Sequence, residues 1–251
     1  MLLKDKTGII TGTSHGIGRA IAIGLAAEGA KILVNYYKSE DSAEEVLSQI
    51  SNSGGTAYKF RADVSNKSEV EEMIAFTLKT FGKIDFLLNN AGLLTRALVE
   101  EMSEEEWNLV IDTNLKGTFL CSQAVIKVMK EQKGGRIINI TSGRGVGGMV
   151  KGAHYSASKA GMMGFTKSLS MELAPFGINV NGIAPGPMDT AHWRKAKSPE
   201  EVKKVISEQR EISNPLLKNV LNPEDIIGTV LFLLTDASKM ITGQTIFIRT
   251  P

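Results

Sequence analysis

A strand, a glycine turn, a helix and a second strand follow one another within the first ~35 residues, and no other stretch constrains the fold as tightly. Thr7-Gly8-Ile9-Ile10-Thr11 is a short β-rich run. Gly12-Thr13-Ser14-His15-Gly16-Ile17-Gly18 follows, then the helical pattern Arg19 to Ala26, then the strand Lys31-Ile32-Leu33-Val34-Asn35. Two parallel strands joined this closely need a crossover helix, so this is a βαβ unit. The turn is spaced Gly-x-x-x-Gly-x-Gly, not the commoner Gly-x-Gly-x-x-Gly. Such glycines let the backbone turn sharply and let a phosphate approach the amides at the positive end of the helix. Such a cluster also fits a turn without a ligand, but the flanking strand and helix favour the phosphate site.

The alternation continues. Ser39 is placed to cap a helix over 40–52, and Gly54-Gly55 ends it. Thr56 to Phe60 reads as a third strand, ending in Asp63-Val64. Asn66 and Glu69 have capping-box spacing before a helix with Val70, Met73, Ile74, Thr77 and Phe81 on one face. Ile84 to Leu88 is a fourth strand, running into Asn89-Asn90-Ala91-Gly92. Ser103 and Glu106 open a long helical pattern that reaches about residue 132 and contains Asn114. The run from Arg136 to Thr141 is a buried strand, Gly177 to Ile183 another, and Ile246 to Ile248 a last short one. Asn222-Pro223 starts the final helix. Strands alternating with helices over all 251 residues predict a single α/β domain, a doubly wound and mostly parallel sheet of Rossmann type.

Bulk properties exclude several functions. A net charge of +2, from 29 basic and 27 acidic residues, gives no footprint for nucleic acid or an anionic membrane. The single cysteine, Cys121, sits in an apolar pattern and reads as a core thiol, which fits a reducing compartment. No apolar run approaches the ~18 residues of a membrane span, and the first residues carry no signal-peptide core. These features predict a cytoplasmic protein with no metal site.

Chemistry concentrates at Tyr155 and Lys159, four residues apart on one helix face. A free phenol has a pKa near ~10 and shuttles protons poorly at neutral pH. A neighbouring ammonium favours the phenolate, so the pair is a candidate acid/base in which Lys159 lowers the pKa of Tyr155. Ser142 lies thirteen residues before Tyr155, at the end of a predicted strand, where open α/β sheets place ligands. A Tyr-x-x-x-Lys spacing alone is also an ordinary surface pair; the serine and the rest of the chain give it weight.

Together these motifs resemble the short-chain dehydrogenase/reductase family in its short, single-domain form. The resemblance runs from about residue 4 to 245 and rests on Gly12 through Gly18, Asp63-Val64, Asn89-Asn90-Ala91-Gly92, Asn114, Ser142, Tyr155 with Lys159, and Pro185-Gly186 with Thr190. Within the family the chain is most similar to 3-oxoacyl-[acyl-carrier-protein] reductases, as in Gly135 to Ile140 and Ile241-Thr242-Gly243-Gln244.

The resemblance implies roles. Tyr155 would protonate a carbonyl oxygen as hydride arrives from a nicotinamide. Lys159 would also hold the ribose hydroxyls, Ser142 would orient the carbonyl, and Asn114 would hold a water linking Lys159 to solvent. Gly12, Ser14, His15, Gly16, Ile17 and Gly18 would cradle the pyrophosphate and adenosine end. Asp63 and Val64 would meet the adenine, Asn90, Ala91 and Gly92 the middle of the cofactor, and Pro185, Gly186 and Thr190 the nicotinamide amide. The region 190–213 would form a substrate lid, and the family predicts a homo-tetramer.

The second strand ends in Asn35-Tyr36-Tyr37-Lys38-Ser39, with no carboxylate to repel a 2′-phosphate and with Lys38 as a cation for it. His15 stands where many NADP-using relatives carry arginine. NADP(H) is the predicted cofactor, with NAD(H) the alternative. Three departures from the reductase pattern stand out: Phe176 where carrier-docking relatives have arginine, the segment Gly143 to Met149 with Arg144 beside the substrate, and the end Ile248-Arg249-Thr250-Pro251. Three functions follow: reduction of a 3-oxoacyl thioester or similar ketone, an alcohol or sugar dehydrogenase, and a dinucleotide-binding sensor or scaffold without turnover.

Overall fold

The structure is a computed structural model and describes residues 1–186, 188 and 221–248. Seven parallel strands lie in the order β3-β2-β1-β4-β5-β6-β7. They are β1 (Thr7–Ile10), β2 (Lys31–Tyr36), β3 (Thr56–Arg61), β4 (Phe86–Asn89), β5 (Gly135–Ile140), β6 (Ile178–Pro185) and β7 (Thr245–Ile248). The doubly wound sheet predicted from the alternation is borne out, each strand within two or three residues of its expected bounds.

Helices cover both faces. On one lie α1 (Gly16–Ala27), α2 (Glu40–Asn52) and α8 (Ile227–Leu234); on the other lie α3 (Lys67–Phe81), α5 (Gly117–Glu131) and α7 (Ala153–Leu173). The strands feed these two cores alternately, as the period of two in side-chain direction requires. Ile10, Ile32, Val34, Leu88 and Ile138 pack under α1, α2 and α8, while Ile9, Leu33, Leu87 and Ile137 pack under α3, α5 and α7. Strands buried on both faces read as continuous apolar runs, which is why they were legible.

Two short helices complete the frame: α4 (Glu104–Ile111), capped by Ser103 Oγ accepting from the Glu106 N–H at 3.1 Å, and the four-residue α6 (Arg144–Gly147). A π-helical turn, Asp112–Lys116, joins α4 to α5 and carries Asn114. Other caps differ from expectation. Ser39 makes no side-chain cap on α2. Asn66 Oδ1 accepts from the Ser68 N–H at 3.1 Å, and the Glu69 carboxylate takes the Asp63 N–H and the Asn66 side-chain amide, so Asn66 caps the helix without the reciprocal box. The box at Asn222 and Asp225 is complete and opens a 3₁₀ turn leading into α8.

Strand order reverses direction between β1 and β4. In an open α/β sheet the crevice at such a point, beyond the carboxyl ends of the strands, is where ligands bind. Among the described residues no helix is long and apolar enough to cross a membrane. The expected lid, residues 190–213, lies outside the described residues.

Candidate active site

The glycine turn is built by contact with the strand beside it. Gly12 has φ +66°, and a Cβ there would sit 2.7 Å from Ala91 Cα. A Cβ on Gly18 would sit 2.4 Å from the Gly12 carbonyl oxygen. Any side chain at either place would drive the turn off the β4 loop. Thr11 Oγ1 accepts from the N–H groups of Asn90 and Ala91 at 3.0 and 2.9 Å, and the Asn90 amide donates to the Thr11 and Gly12 carbonyls at 2.9 Å each. From the other side, Asn35 Oδ1 accepts from the Gly12 N–H at 3.1 Å while its amide donates to Ala62 O at 3.0 Å.

This cradle fits a pyrophosphate. The first turn of α1 contains no acidic residue, and its N-cap, His15, makes no side-chain cap, so the amides and the positive dipole end are left for an anion.

A cavity of about 1510 Å³ runs from this turn across the ends of β1, β4 and β5. Most predicted site residues line it: the glycine turn from Gly12 and His15 to Gly18, Lys38, Asp63 and Val64, Asn90 to Gly92, Ser142, Tyr155, Lys159, Pro185 and Gly186. Two do not. Ser14 is buried, and its hydroxyl donates to Ser39 O at 3.3 Å, tying the turn to the start of α2. Asn114 is buried behind the wall. Its Oδ1 accepts from the Leu93 N–H at 2.8 Å, and its amide donates to Leu93 O and Ser158 Oγ at 3.0 Å each. Asp63 lines the cavity with its carboxylate held by Ser65 N and Oγ. His15 Nε2 lies 3.1 Å from Ser42 Oγ. Thr190 lies outside the described residues.

Ser142 follows β5, and Tyr155 and Lys159 lie one turn apart near the start of α7. Burial pushes the Tyr155 phenol above its ordinary value, whereas the Ser142 hydroxyl and the Arg144 charge pull it back. Lys159 is buried and donates to the Ile140 carbonyl at 2.8 Å, and burial lowers its pKa to about 8. Lys159 Nζ is 5.7 Å from the Tyr155 ring centroid. The ammonium donates to a backbone carbonyl and keeps its charge beside the Tyr155 ring, and further influences favouring the phenolate come from Ser142 and Arg144. Gly92 lies between Lys159 and Asn114, since a Cβ there would be 3.6 Å from Lys159 Nζ and 3.1 Å from Asn114 Oδ1.

Comparison with known proteins agrees with this geometry. The family model described as short chain dehydrogenase matches residues 6–201. The chain is a member of the short-chain dehydrogenase/reductase family. As such it is an oxidoreductase that binds a nicotinamide dinucleotide. It is similar to the 3-oxoacyl-[acyl-carrier-protein] reductase of Synechocystis, at 44% identity over 97% of this chain and 95% of that one. It is similar to the protein of the same name from Staphylococcus epidermidis, at 43% identity over 98% of each chain. A solved short-chain type dehydrogenase/reductase from Mycobacterium marinum superposes with a TM-score of 0.85, at 32% identity over 98% of this chain and 94% of that one. A structure from Sinorhizobium meliloti superposes with a TM-score of 0.90 at 32% identity, covering 98% of this chain and 95% of that one.

Sequence reasoning missed Thr11 and Asn35 as anchors of the turn. It also missed His154, fully buried beside Tyr155, whose Nε2 lies 2.6 Å from Thr95 Oγ1. The signal for Asn35 was a polar residue at a strand position otherwise filled by apolar ones.

Proposed function

We propose that this chain reduces the ketone of a 3-oxoacyl thioester, or a similar ketone, using NADP(H). The observation that carries the reading is that Ser142, Tyr155 and Lys159 line the same cavity as the glycine turn. Two relatives above 40% identity, both named as 3-oxoacyl reductases, point to the substrate class. Beside Arg96, Asp112 and Arg144 the cavity wall carries Leu94, Leu109, Met149, Val150, Met188 and Phe247, apolar surface that would suit an acyl chain.

The bound nicotinamide supplies the hydride. Lys159 and Tyr155 would hold the ribose hydroxyls, Pro185 and Gly186, with Thr190 outside the described residues, would hold the amide, Asp63 and Val64 would meet the adenine, and Asn90 to Gly92 the middle of the dinucleotide. The Ser142 hydroxyl accepts from the Arg144 N–H at 3.2 Å and lies beside the Tyr155 phenol, so its own proton can turn from the phenol to the substrate carbonyl oxygen. Tyr155 then gives its phenolic proton to that oxygen. A phenol kept neutral by burial is in the right form to donate at neutral pH. Asn114 fixes the backbone at Leu93, next to Gly92, whose bare Cα lies between Asn114 and Lys159.

NADP(H) is favoured by the cations at the ends of β2 and β3. Lys38 and Arg61 flank the Tyr37 ring at 5.4 and 5.2 Å from its centroid. The nearest acid in sequence, Glu40, is drawn to Lys59 at 2.9 Å and so offers little repulsion to a 2′-phosphate. A homo-tetramer belongs to the same reading; Trp107, Leu109 and Phe119 leave apolar surface exposed on α4 and α5.

The test is kcat/KM for 3-oxoacyl thioesters and plain ketones with each reduced nicotinamide. The reading expects thioester reduction with NADPH preferred by about tenfold or more, which is ~1.4 kcal/mol. Preference for NADH by that factor removes the cofactor assignment. Turnover confined to alcohols or sugars in the oxidative direction removes the substrate class.

A further inference from the structure

The helix that carries Tyr155 also holds the loop that follows β4. His154 and Ser158 are four residues apart on α7 and both fully buried, so they lie one above the other, about 100° around the axis from Tyr155 and Lys159. Ser158 Oγ accepts from the Asn114 amide at 3.0 Å, and Asn114 in turn binds both the N–H and the carbonyl of Leu93. His154 Nε2 shares a hydrogen bond of 2.6 Å with Thr95 Oγ1. The loop from Asn90 to Leu98 has no helix or strand of its own, so such ties decide where it lies.

The ties fall into two groups. Asn90 and Ala91 are bound to Thr11, and Leu93 to Asn114, which fixes the half of the loop next to the glycine turn. Among the described residues, the segment 94–97 is held by a single hydrogen bond, that of Thr95 to His154. Leu94 and Arg96, on either side of Thr95, line the cavity that Tyr155 also lines. The imidazole depends on this bond as much as the loop does. Its Nδ1 is buried with no partner among the described residues, so loss of the Thr95 hydroxyl leaves both ring nitrogens unpaired away from water.

We propose that His154 is a positioning residue for the acyl substrate: through Thr95 it holds Leu94 and Arg96 in place on the cavity wall, without itself lining the cavity. This rests on the reading of the chain as a 3-oxoacyl thioester reductase. The two groups of ties separate the effects. Without His154, the half of the loop next to the glycine turn keeps Thr11 and Asn114, so the nucleotide site stays. Ser142, Tyr155 and Lys159 stand on the end of β5 and on α7, so the proton transfer stays. What is released is the wall beyond Leu93. A wall that touches substrate equally in the ground state and the transition state changes KM rather than kcat.

Four variants test it. Thr95→Val and His154→Leu remove the bond, whereas Thr95→Ser keeps a hydroxyl and His154→Gln keeps an amide nitrogen for it. For each, KM and kcat for a 3-oxoacyl thioester and the affinity for NADPH are measured, with amide hydrogen exchange of residues 93–98 as a readout independent of turnover. Thr95→Val raises KM by about tenfold and speeds exchange of the loop by at least about fivefold, with kcat within about threefold and nucleotide affinity within about twofold of the parent. His154→Leu does the same, and the two changes together do no more than either, because they break one bond. Thr95→Ser and His154→Gln return KM to within about threefold. Thr95 is only half-buried, so its two variants decide the matter where His154→Leu does not fold. An unmoved KM in Thr95→Val overturns the inference. So does nucleotide affinity that falls as far as KM rises, or a double variant in which the two KM effects multiply. A parent that reduces no acyl thioester ends the substrate reading instead. Loop exchange in Thr95→Val then decides the positioning role: quickened exchange sustains it and unchanged exchange overturns it.

Discussion

Lys159 Nζ donates to the carbonyl oxygen of Ile140 at 2.8 Å, and this bond ties the catalytic helix to the end of strand β5. Among the described residues it is the one hydrogen bond of this buried ammonium, and burial drags the pKa from 10.5 to about 8. Between these values the unfolded chain binds a proton that the folded chain does not. Stability therefore rises with pH across about 8 to 10.5 and the penalty is fully present below about 8. Chemical denaturation should show the protein gaining stability between about pH 7 and pH 9.5, by an amount on the order of 1–3 kcal/mol, and Lys159→Met should lose that gain. Equal slopes in both proteins would show that the ammonium is not strained by burial.

His154 gives a second pH effect in a different window. Its imidazole is fully buried, Nε2 meets Thr95 Oγ1 at 2.6 Å, and Nδ1 has no partner among the described residues. Burial lowers its pKa from 6.5, with Glu106 on α4 opposing weakly. A depressed base is protonated first in the unfolded chain, so stability falls as pH drops below 6.5. His154→Gln should reduce the loss between about pH 7.5 and pH 5.5 by roughly 1 kcal/mol in urea unfolding. An identical loss in the variant would place the acid sensitivity on the carboxylates instead.

Gly18→Ala tests the cradle. The added methyl would meet the Gly12 carbonyl at 2.4 Å and the Asn90 amide at 2.5 Å, and the first of these is backbone. Moving the turn should cost about 1–3 kcal/mol of stability and lower affinity for the dinucleotide by at least about tenfold, read by nucleotide fluorescence titration. Undiminished affinity would mean that the phosphates do not rest on this turn.

The fold was legible because its signals are local. Strands such as Arg136 to Ile140 are buried on both faces and so appear as unbroken apolar runs, and the helix starts at Ser103 and Asn222 carry their own caps. The tyrosine, lysine and serine were legible because helix periodicity and a strand end fix their places without knowledge of tertiary contacts. What was not legible depends on register between distant segments. Asn35 is one of six residues of β2, and only the pairing of β2 with β1 and β3 shows that its amide spans Gly12 and Ala62. Ser14 belongs to the glycine motif, yet its hydroxyl turns to Ser39 because the start of α2 packs there. Spacing puts Lys159 beside Tyr155, but it does not reveal that the ammonium also donates to a carbonyl at the end of β5.

The account stands on Tyr155 as the group that protonates the reduced oxygen. Its most direct test is kcat for NADPH-driven reduction of a 3-oxoacyl thioester by Tyr155→Phe, with nucleotide affinity measured on the same preparation. The account predicts kcat lower by about 10² to 10⁴ with nucleotide still bound. A variant that turns over within about threefold of the parent, ~0.7 kcal/mol in barrier height, would contradict it.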